Sequence, residues 1–445
     1  MGAVEDITKR RWEVWEAGGI PTVTRRAFKD ATTFPTGPVY VAYASSALEA
    51  TNVEAVIQSA DPPHMGLVPE AGVIHAIWDA LLNAENPLLV CGPDIGAAGA
   101  EEEILALAER LALPVATGIF DYASFPRTIP TMRGVETLSE ERYDVVCCVG
   151  YRQNTRGNAT DLRFRDAGTI IGIGHDPAQL GNTFPLDVAV WGNVRQTLAA
   201  LNASWKESDA RLPHLERRAA ALRSRGAERV RQLHDEAMGH ASDKPIHPNY
   251  LAQVAGRVLP EGTMVVSESF RNADHLMPFG FDKRQWRLVR TFGASLGHGI
   301  GAAVGAQLGA PDRPVVCSIG DGAVMYSASG FWTMARYGLP ILTVVWNNLN
   351  YQTVRTNFHT FGGEMAKQKK YPEVYLGDPE IDFVMLAKAQ GIEGTTVREP
   401  QAIEAALRRG VDAIRAGEPY LLDIRVATVG TGADSTWHQR FKLRD

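Results

Sequence analysis

Short apolar runs rich in β-branched residues alternate with Ala- and Leu-rich helical runs almost throughout the chain. The pattern predicts strands at Val39–Tyr43, Pro87–Cys91, Val145–Val149, Thr169–Ile173, Met264–Ser267, Val315–Ile319, Leu342–Trp346 and Tyr420–Val426. It predicts helices over Ile20–Ala31, Gly72–Asn83, Ala100–Leu111, Ile300–Leu308, Ser329–Tyr337, Asp382–Gln390 and Pro400–Ala416. Alternation of this kind belongs to α/β proteins with doubly wound parallel sheets, covered by helices on both faces. Two such domains are expected: a central one over 69–201, and a second over 247–445 that ends in a tail. Residues 202–246 between them are rich in Arg, Glu and Ala and read as a charged, solvated helical linker. Residues 1–45 offer one helix, the turn FPTGP and one strand, too little for an independent domain. They read as the closing remnant of one.

Composition narrows the picture without assigning a function. The 445 residues carry 45 Lys and Arg against 51 Asp and Glu, a net charge of −6. Nothing there favours a nucleic acid or an anionic membrane as partner. No apolar run reaches the length of a membrane span, and MGAVEDITKR does not have the form of a signal peptide. The cysteines Cys91, Cys147, Cys148 and Cys317 sit in apolar runs without zinc spacing and read as buried strand residues. A reducing compartment, hence a cytoplasmic location, is expected.

Chemistry concentrates in Pro314–Tyr351. One apolar strand runs into Gly320-Asp321-Gly322, a helix follows, and a second apolar strand runs into Asn347-Asn348-Leu349-Asn350-Tyr351. Both polar clusters therefore lie at the C-terminal ends of strands, where parallel sheets bind ligands. Asp321 offers a carboxylate, Asn348 a side-chain carbonyl and Asn350 a backbone carbonyl, three hard oxygens of the kind Mg²⁺ takes. Gly320 and Gly322 leave room for a phosphate to approach the backbone. A lone Gly-Asp-Gly is usually a turn. The two clusters, with Asp321 and Asn348 27 positions apart, each capping an apolar strand, carry the stronger reading.

The stretch resembles the metal–diphosphate motif of thiamine-diphosphate enzymes, in particular the group of acetohydroxyacid synthase, benzoylformate decarboxylase and related 2-oxoacid decarboxylases and carboligases. FGASLGHGIGAAVGAQLGAPDRP and GDPEIDFVMLAKAQGI resemble the segments flanking the motif in that group. GIGHDPAQLGNTFPLDVAVWGNV resembles its central domain, and KRRWEVWEAGGIPTVTRRAFKDATTFPTGPVYVAY the end of its pyrimidine-binding domain. The resemblance implies thiamine diphosphate and Mg²⁺ as cofactors, with Asp321, Asn348 and Asn350 on the metal. It implies Gly322, Ala323, Tyr326 and Tyr351 beside the diphosphate. Leu296 matches the apolar residue between the cofactor's two rings, although the residues alone allow an ordinary core leucine. Ala294 and Ser295 precede it, and the Ala294 carbonyl would hold the exocyclic amino group. Glu268 and Asn272 match polar positions bordering the cofactor. His298, and His359 in the loop after the Asn-Asn cluster, are candidate proton carriers, while Thr353 and Val354 would line the substrate pocket.

The departures from the family pattern matter as much. Phe270 and Arg271 replace two small hydroxyl residues, GYRQNTRGNA stands where benzoylformate decarboxylase has a catalytic histidine, and PTMRGVE lacks the segment expected with FAD. FAD is therefore not expected. The segment bearing the family's activating glutamate has no counterpart in the sequence. The expected activity is a carbon–carbon lyase or carboligase of 2-oxoacids or 2-hydroxyketones, acetolactate synthase-like. The expected assembly is a homodimer or tetramer, or a heteromer with a glutamate-bearing chain. Two alternatives remain: a catalytically silent cofactor-binding subunit, and a nucleotide-binding module around CGPDIGAAGA. His438 in the tail has no firmer assignment than a position that could cover the site.

Overall fold

The computed structural model describes residues 2–54, 56, 66–117, 133–134, 142–151, 167–182, 184–269, 286–290, 296–371 and 373–435. They form two compact units, one of Met1–Ala116 and Val135–Leu212, the other built chiefly on Pro213–Asp445.

In the first unit, β1 (Arg10–Val14) and β2 (Val39–Tyr43) pair in parallel and pack against the helix Ile20–Thr32. A six-stranded sheet follows, in the order β5-β4-β3-β6-β7-β8. Its strands are β3 (Pro87–Cys91), β4 (Val115–Thr117), β5 (Arg133–Gly134), β6 (Val145–Val149), β7 (Thr169–Gly174) and β8 (Val188–Trp191). The pairs β3–β6, β6–β7 and β7–β8 are parallel. The order reverses between β3 and β6, leaving a crevice at their C-terminal ends.

The second unit opens with a long helix, Pro213–Gly239, whose buried positions are only Leu215, Gly226 and Ala237. It is as solvated as its charge predicts. The six-stranded sheet that follows has the order β10-β9-β11-β12-β14-β13 and is parallel throughout. Its strands are β9 (Met264–Glu268), β10 (Arg287–Arg290), β11 (Val315–Gly320), β12 (Ile341–Asn347), β13 (Glu393–Val397) and β14 (Tyr420–Arg425). Every residue of β12 is buried. Successive side chains point to opposite faces of a strand. Leu342, Val344 and Trp346 therefore join one core, under the helices Pro248–Val258 and Ile403–Arg415. Ile341 and Val345 join another, under His298–Gly309, Gly330–Arg336 and Phe383–Lys388. Helices on both faces of an all-parallel sheet make this a doubly wound α/β fold.

The short strands Arg10–Val14, Val115–Thr117, Arg133–Gly134, Val188–Trp191, Arg287–Arg290 and Glu393–Val397 carry too few consecutive apolar residues to stand out in the sequence. The strand RRWEV is stabilised by its partner β2 rather than by its own pattern. The four cysteines are buried, and burial pushes the Cys147 thiol up to about 12. No helix among the described residues is long and apolar enough to cross a membrane.

Candidate active site

The crevice of the second sheet lies where its strand order reverses, between β9 and β11. Glu268 ends β9, Asp321 follows β11, and Asn347 ends β12. The register pairs Ile319 with Glu268 and Gly320 with Trp346, so the three polar ends are brought side by side.

Asp321 is the first residue of the helix Asp321–Ser327 and is 5 % exposed. Its Oδ1 accepts a hydrogen bond from the Gly322 N–H at 2.7 Å. Its Oδ2 is buried with no partner among the described residues. Burial raises the carboxyl to about 7, against the opposing pull of the Gly322, Leu349, Asn350 and Asn348 N–H groups. A carboxylate oxygen buried without a donor suits a cation, and a bound divalent ion would return the group to its ionised form.

The facing loop is held on all sides. Asn347 is fully buried, and its Nδ2 donates to Asp423 Oδ1 at 2.9 Å. Asn348 Oδ1 accepts from the Asn350 N–H at 2.9 Å, which leaves its second lone pair for a metal. Leu349 has φ 58°, a left-handed conformation that costs a non-glycine residue roughly 1–2 kcal/mol. The neighbouring segment compensates: Leu376 N–H donates to the Leu349 carbonyl and Tyr351 N–H to the Val374 carbonyl, each at 2.8 Å. The backbone is therefore turned at Leu349, immediately before Asn350, whose carbonyl is the expected ligand. The donor set of one carboxylate, one amide oxygen and one backbone carbonyl fits Mg²⁺.

Gly322 has no room for a side chain: a Cβ there would stand 2.2 Å from Tyr351 Cε1, so its absence admits the Tyr351 ring. Tyr351 also hydrogen-bonds Tyr326, and burial is the largest cause raising its phenol. Tyr326 itself is exposed. Gly320 has ordinary spacing to its neighbours, and Ala323 is buried in the core beneath the helix.

Glu268 is buried, and both its oxygens are engaged by the start of the helix His298–Gly309. Oε1 accepts from the Gly297 N–H and Oε2 from the Gly299 N–H, the latter at 2.5 Å. A Cβ on Gly299 would meet Oε2 at 2.6 Å, so the carboxylate fits only over glycine. The residue expected to border the cofactor thus stabilises a helix N-terminus, where unpaired N–H groups and the helix dipole favour a negative charge. His298 Nδ1 lies 3.6 Å from the same carboxylate, and Leu296 packs partly buried against the core.

His359 is not in a loop. It sits in the last turn of the helix Gln352–Thr360, its Nδ1 2.8 Å from the Tyr371 hydroxyl. Thr353 and Val354 are exposed on the first turn of that helix. Asn272, Ala294, Ser295 and His438 lie outside the described residues, as do Phe270 and Arg271. Sequence reasoning passed over Asn347, Asp423 and Arg355. Asp423 left a signal, a charge inside the buried strand YLLDIR. Arg355 left none, because it lies among polar helix residues.

Residues 272–424 match the model for the thiamine pyrophosphate enzyme C-terminal TPP binding domain, and residues 74–201 match the model for its central domain. The chain is 26% identical over 452 residues to a probable acetolactate synthase large subunit of Methanocaldococcus jannaschii, covering 95% of this chain and 72% of that one. It is 25% identical over 431 residues to benzoylformate decarboxylase of Pseudomonas aeruginosa, covering 93% and 75%. A thiamine diphosphate-dependent 4-hydroxybenzoylformate decarboxylase of Rhodococcus jostii superposes with a TM-score of 0.76 at 26% identity, over 96% of this chain and 77% of that one. Matched central and C-terminal domains, with relatives aligned along nearly the whole chain, establish that the protein belongs to the thiamine pyrophosphate enzyme family.

Proposed function

We propose that the chain is a thiamine-diphosphate- and Mg²⁺-dependent lyase or carboligase acting on 2-oxoacids or 2-hydroxyketones. The observation that carries this reading is the unpartnered Asp321 Oδ2, buried beside the Asn348–Asn350 loop. Thiamine diphosphate, when bound, supplies a carbon nucleophile and an electron sink for breaking a bond beside a carbonyl. Asp321, Asn348 Oδ1 and the Asn350 carbonyl would hold Mg²⁺, which offsets the diphosphate charge without a lysine or arginine. Tyr326 and Tyr351 would border the diphosphate, and Leu296 would pack against the cofactor rings. Glu268 acts from behind, fixing the helix that follows Leu296. His298, beside a carboxylate, and His359, oriented by Tyr371, are the candidates for moving protons at the substrate. Thr353 and Val354 present a solvent-facing edge to the substrate.

An activating glutamate supplied by another chain is part of this proposal, so the test is run in two forms. Pyruvate and benzoylformate turnover is measured with thiamine diphosphate and Mg²⁺, first on the chain alone and then with a glutamate-bearing partner co-expressed. Release of CO₂ or formation of a 2-hydroxyketone, lost in Asp321→Ala, is expected. Tight cofactor binding with no turnover in either form would instead identify a silent subunit.

A further inference from the structure

The helix Gln352–Thr360 has a buried face made of polar residues. Gln352, Arg355 and Thr356 are 6%, 2% and 7% exposed, and with His359 they follow the i, i+3, i+4, i+7 spacing of one helix face. Apolar residues usually occupy such a stripe. Here the stripe serves the segment Thr428–Ser435. Gln352 Nε2 donates to the Val429 and Thr431 carbonyls, each at 3.2 Å, and Thr356 Oγ1 donates to the Thr431 carbonyl at 3.2 Å. Arg355 Nη1 donates to the Ser435 carbonyl at 3.0 Å. Gly432, with φ 78°, brings this segment close: a Cβ there would lie 3.3 Å from Arg355 Cγ.

The same segment reaches the metal loop. The other end of the guanidinium, Nη2, donates to Asn350 Oδ1. Thr428 Oγ1 accepts from Asn350 Nδ2 at 3.2 Å and donates to the Asn348 carbonyl at 3.3 Å. The Arg355 guanidinium also lies 5.7 Å from the Tyr371 ring centre, a contact that helps hold a buried cation. A planar fork with donors at both ends can bridge two carbonyl groups, which a lysine ammonium cannot do in the same geometry.

We propose that Arg355 is a positioning residue for the metal loop. It ties Thr428–Ser435 to Asn350, so that seating of that segment and binding of a divalent cation at the loop strengthen each other. The proposal rests on Asn350 being a metal ligand. The coupling is reciprocal by thermodynamic linkage: the cation steadies the segment as much as the segment steadies the cation site.

The test uses the full chain, with Mn²⁺ binding followed by electron paramagnetic resonance in the presence of thiamine diphosphate, and with amide hydrogen exchange. Arg355→Met is expected to weaken Mn²⁺ binding by about 10- to 100-fold, the usual cost of losing a residue that orients a ligand. Arg355→Lys should restore only part of it. Amide exchange should rise together in residues 348–351 and 429–435, with or without Mn²⁺. Asn350→Ala removes the same bond from the other side and keeps the backbone carbonyl. Combined with Arg355→Met, it should add little. Unchanged Mn²⁺ affinity in folded Arg355→Met overturns the proposal. Where that variant does not fold, unchanged affinity in Asn350→Ala does so. A wild-type chain that takes up no Mn²⁺ removes the metal site itself. Exchange then still decides the coupling: a paired rise in Arg355→Met upholds the tie between segment and loop, and an unchanged pattern removes it.

Discussion

Two crevices sit at equivalent places in two similar folds, and the polar residues at their strand ends are deployed differently. In the first unit, the ends of β3, β6 and β7 surround Asp94 and His175. These groups serve one another: the His175 N–H donates to Asp94 Oδ2 at 3.3 Å, and His175 Nε2 accepts from the Val194 N–H at 3.2 Å. Leu180 and Leu186 pack against Gly172. In the second unit, Asp321 Oδ2 is buried with no hydrogen-bond partner among the described residues, and a left-handed leucine turns the facing loop. The doubly wound topology supplies the location in both; the residues at the strand ends decide what happens there.

The largest expected difference is in metal binding. Asp321→Ala should weaken Mg²⁺ and thiamine diphosphate binding by at least about 100-fold, because it removes the only carboxylate of the proposed ligand set. Asp94→Ala should leave that affinity unchanged and cost about 1–3 kcal/mol of stability, the usual consequence of stranding buried donors. Calorimetric titration and urea unfolding separate the two effects. A loss of cofactor affinity in Asp94→Ala would break the comparison.

Next in size is Gly322→Ala. The added methyl meets the Tyr351 ring and should cost about 1–3 kcal/mol, with Tyr351 displaced. The matching change at Gly320, where the nearest atom to a Cβ is the Glu268 carbonyl at 3.9 Å, should be milder. Equal effects in chemical unfolding would remove the assignment of Gly322 to ring packing.

The pH dependence follows from Asp321. Its folded pKa is raised from 3.8 to about 7, so the folded chain keeps a proton that the unfolded chain releases between those values. Its contribution therefore makes the metal-free protein less stable as pH rises through that window, and Asp321→Asn should abolish this slope. Metal binding competes with the same proton, so Mg²⁺ affinity should climb up to about pH 7. Glu268→Ala should cost about 1–3 kcal/mol, because it strands the Gly297 and Gly299 N–H groups at the helix start.

The sequence showed strands and site unevenly, and for physical reasons. Strands buried on both faces, such as Val315–Gly320 and Ile341–Asn347, declare themselves because most of their residues are apolar. Edge strands such as Glu393–Val397 face water on several positions and blend into the surrounding loops. Asp321 and Asn348 were legible because motif and strand end coincide. The supporting shell was not. Arg355 and Asp423 act through contacts with residues distant in sequence, Ser435 for one and Asn347 for the other. Glu268 was singled out, but its hold on Gly297 and Gly299 appears only in three dimensions.

The central claim is that the second crevice, and not the first, holds the metal and diphosphate. Titration of thiamine diphosphate into the chain with Mg²⁺ in excess tests it most directly. The account predicts saturable binding that is retained in Asp94→Ala and lost in Asp321→Ala. Binding of equal affinity in wild type and Asp321→Ala would contradict it.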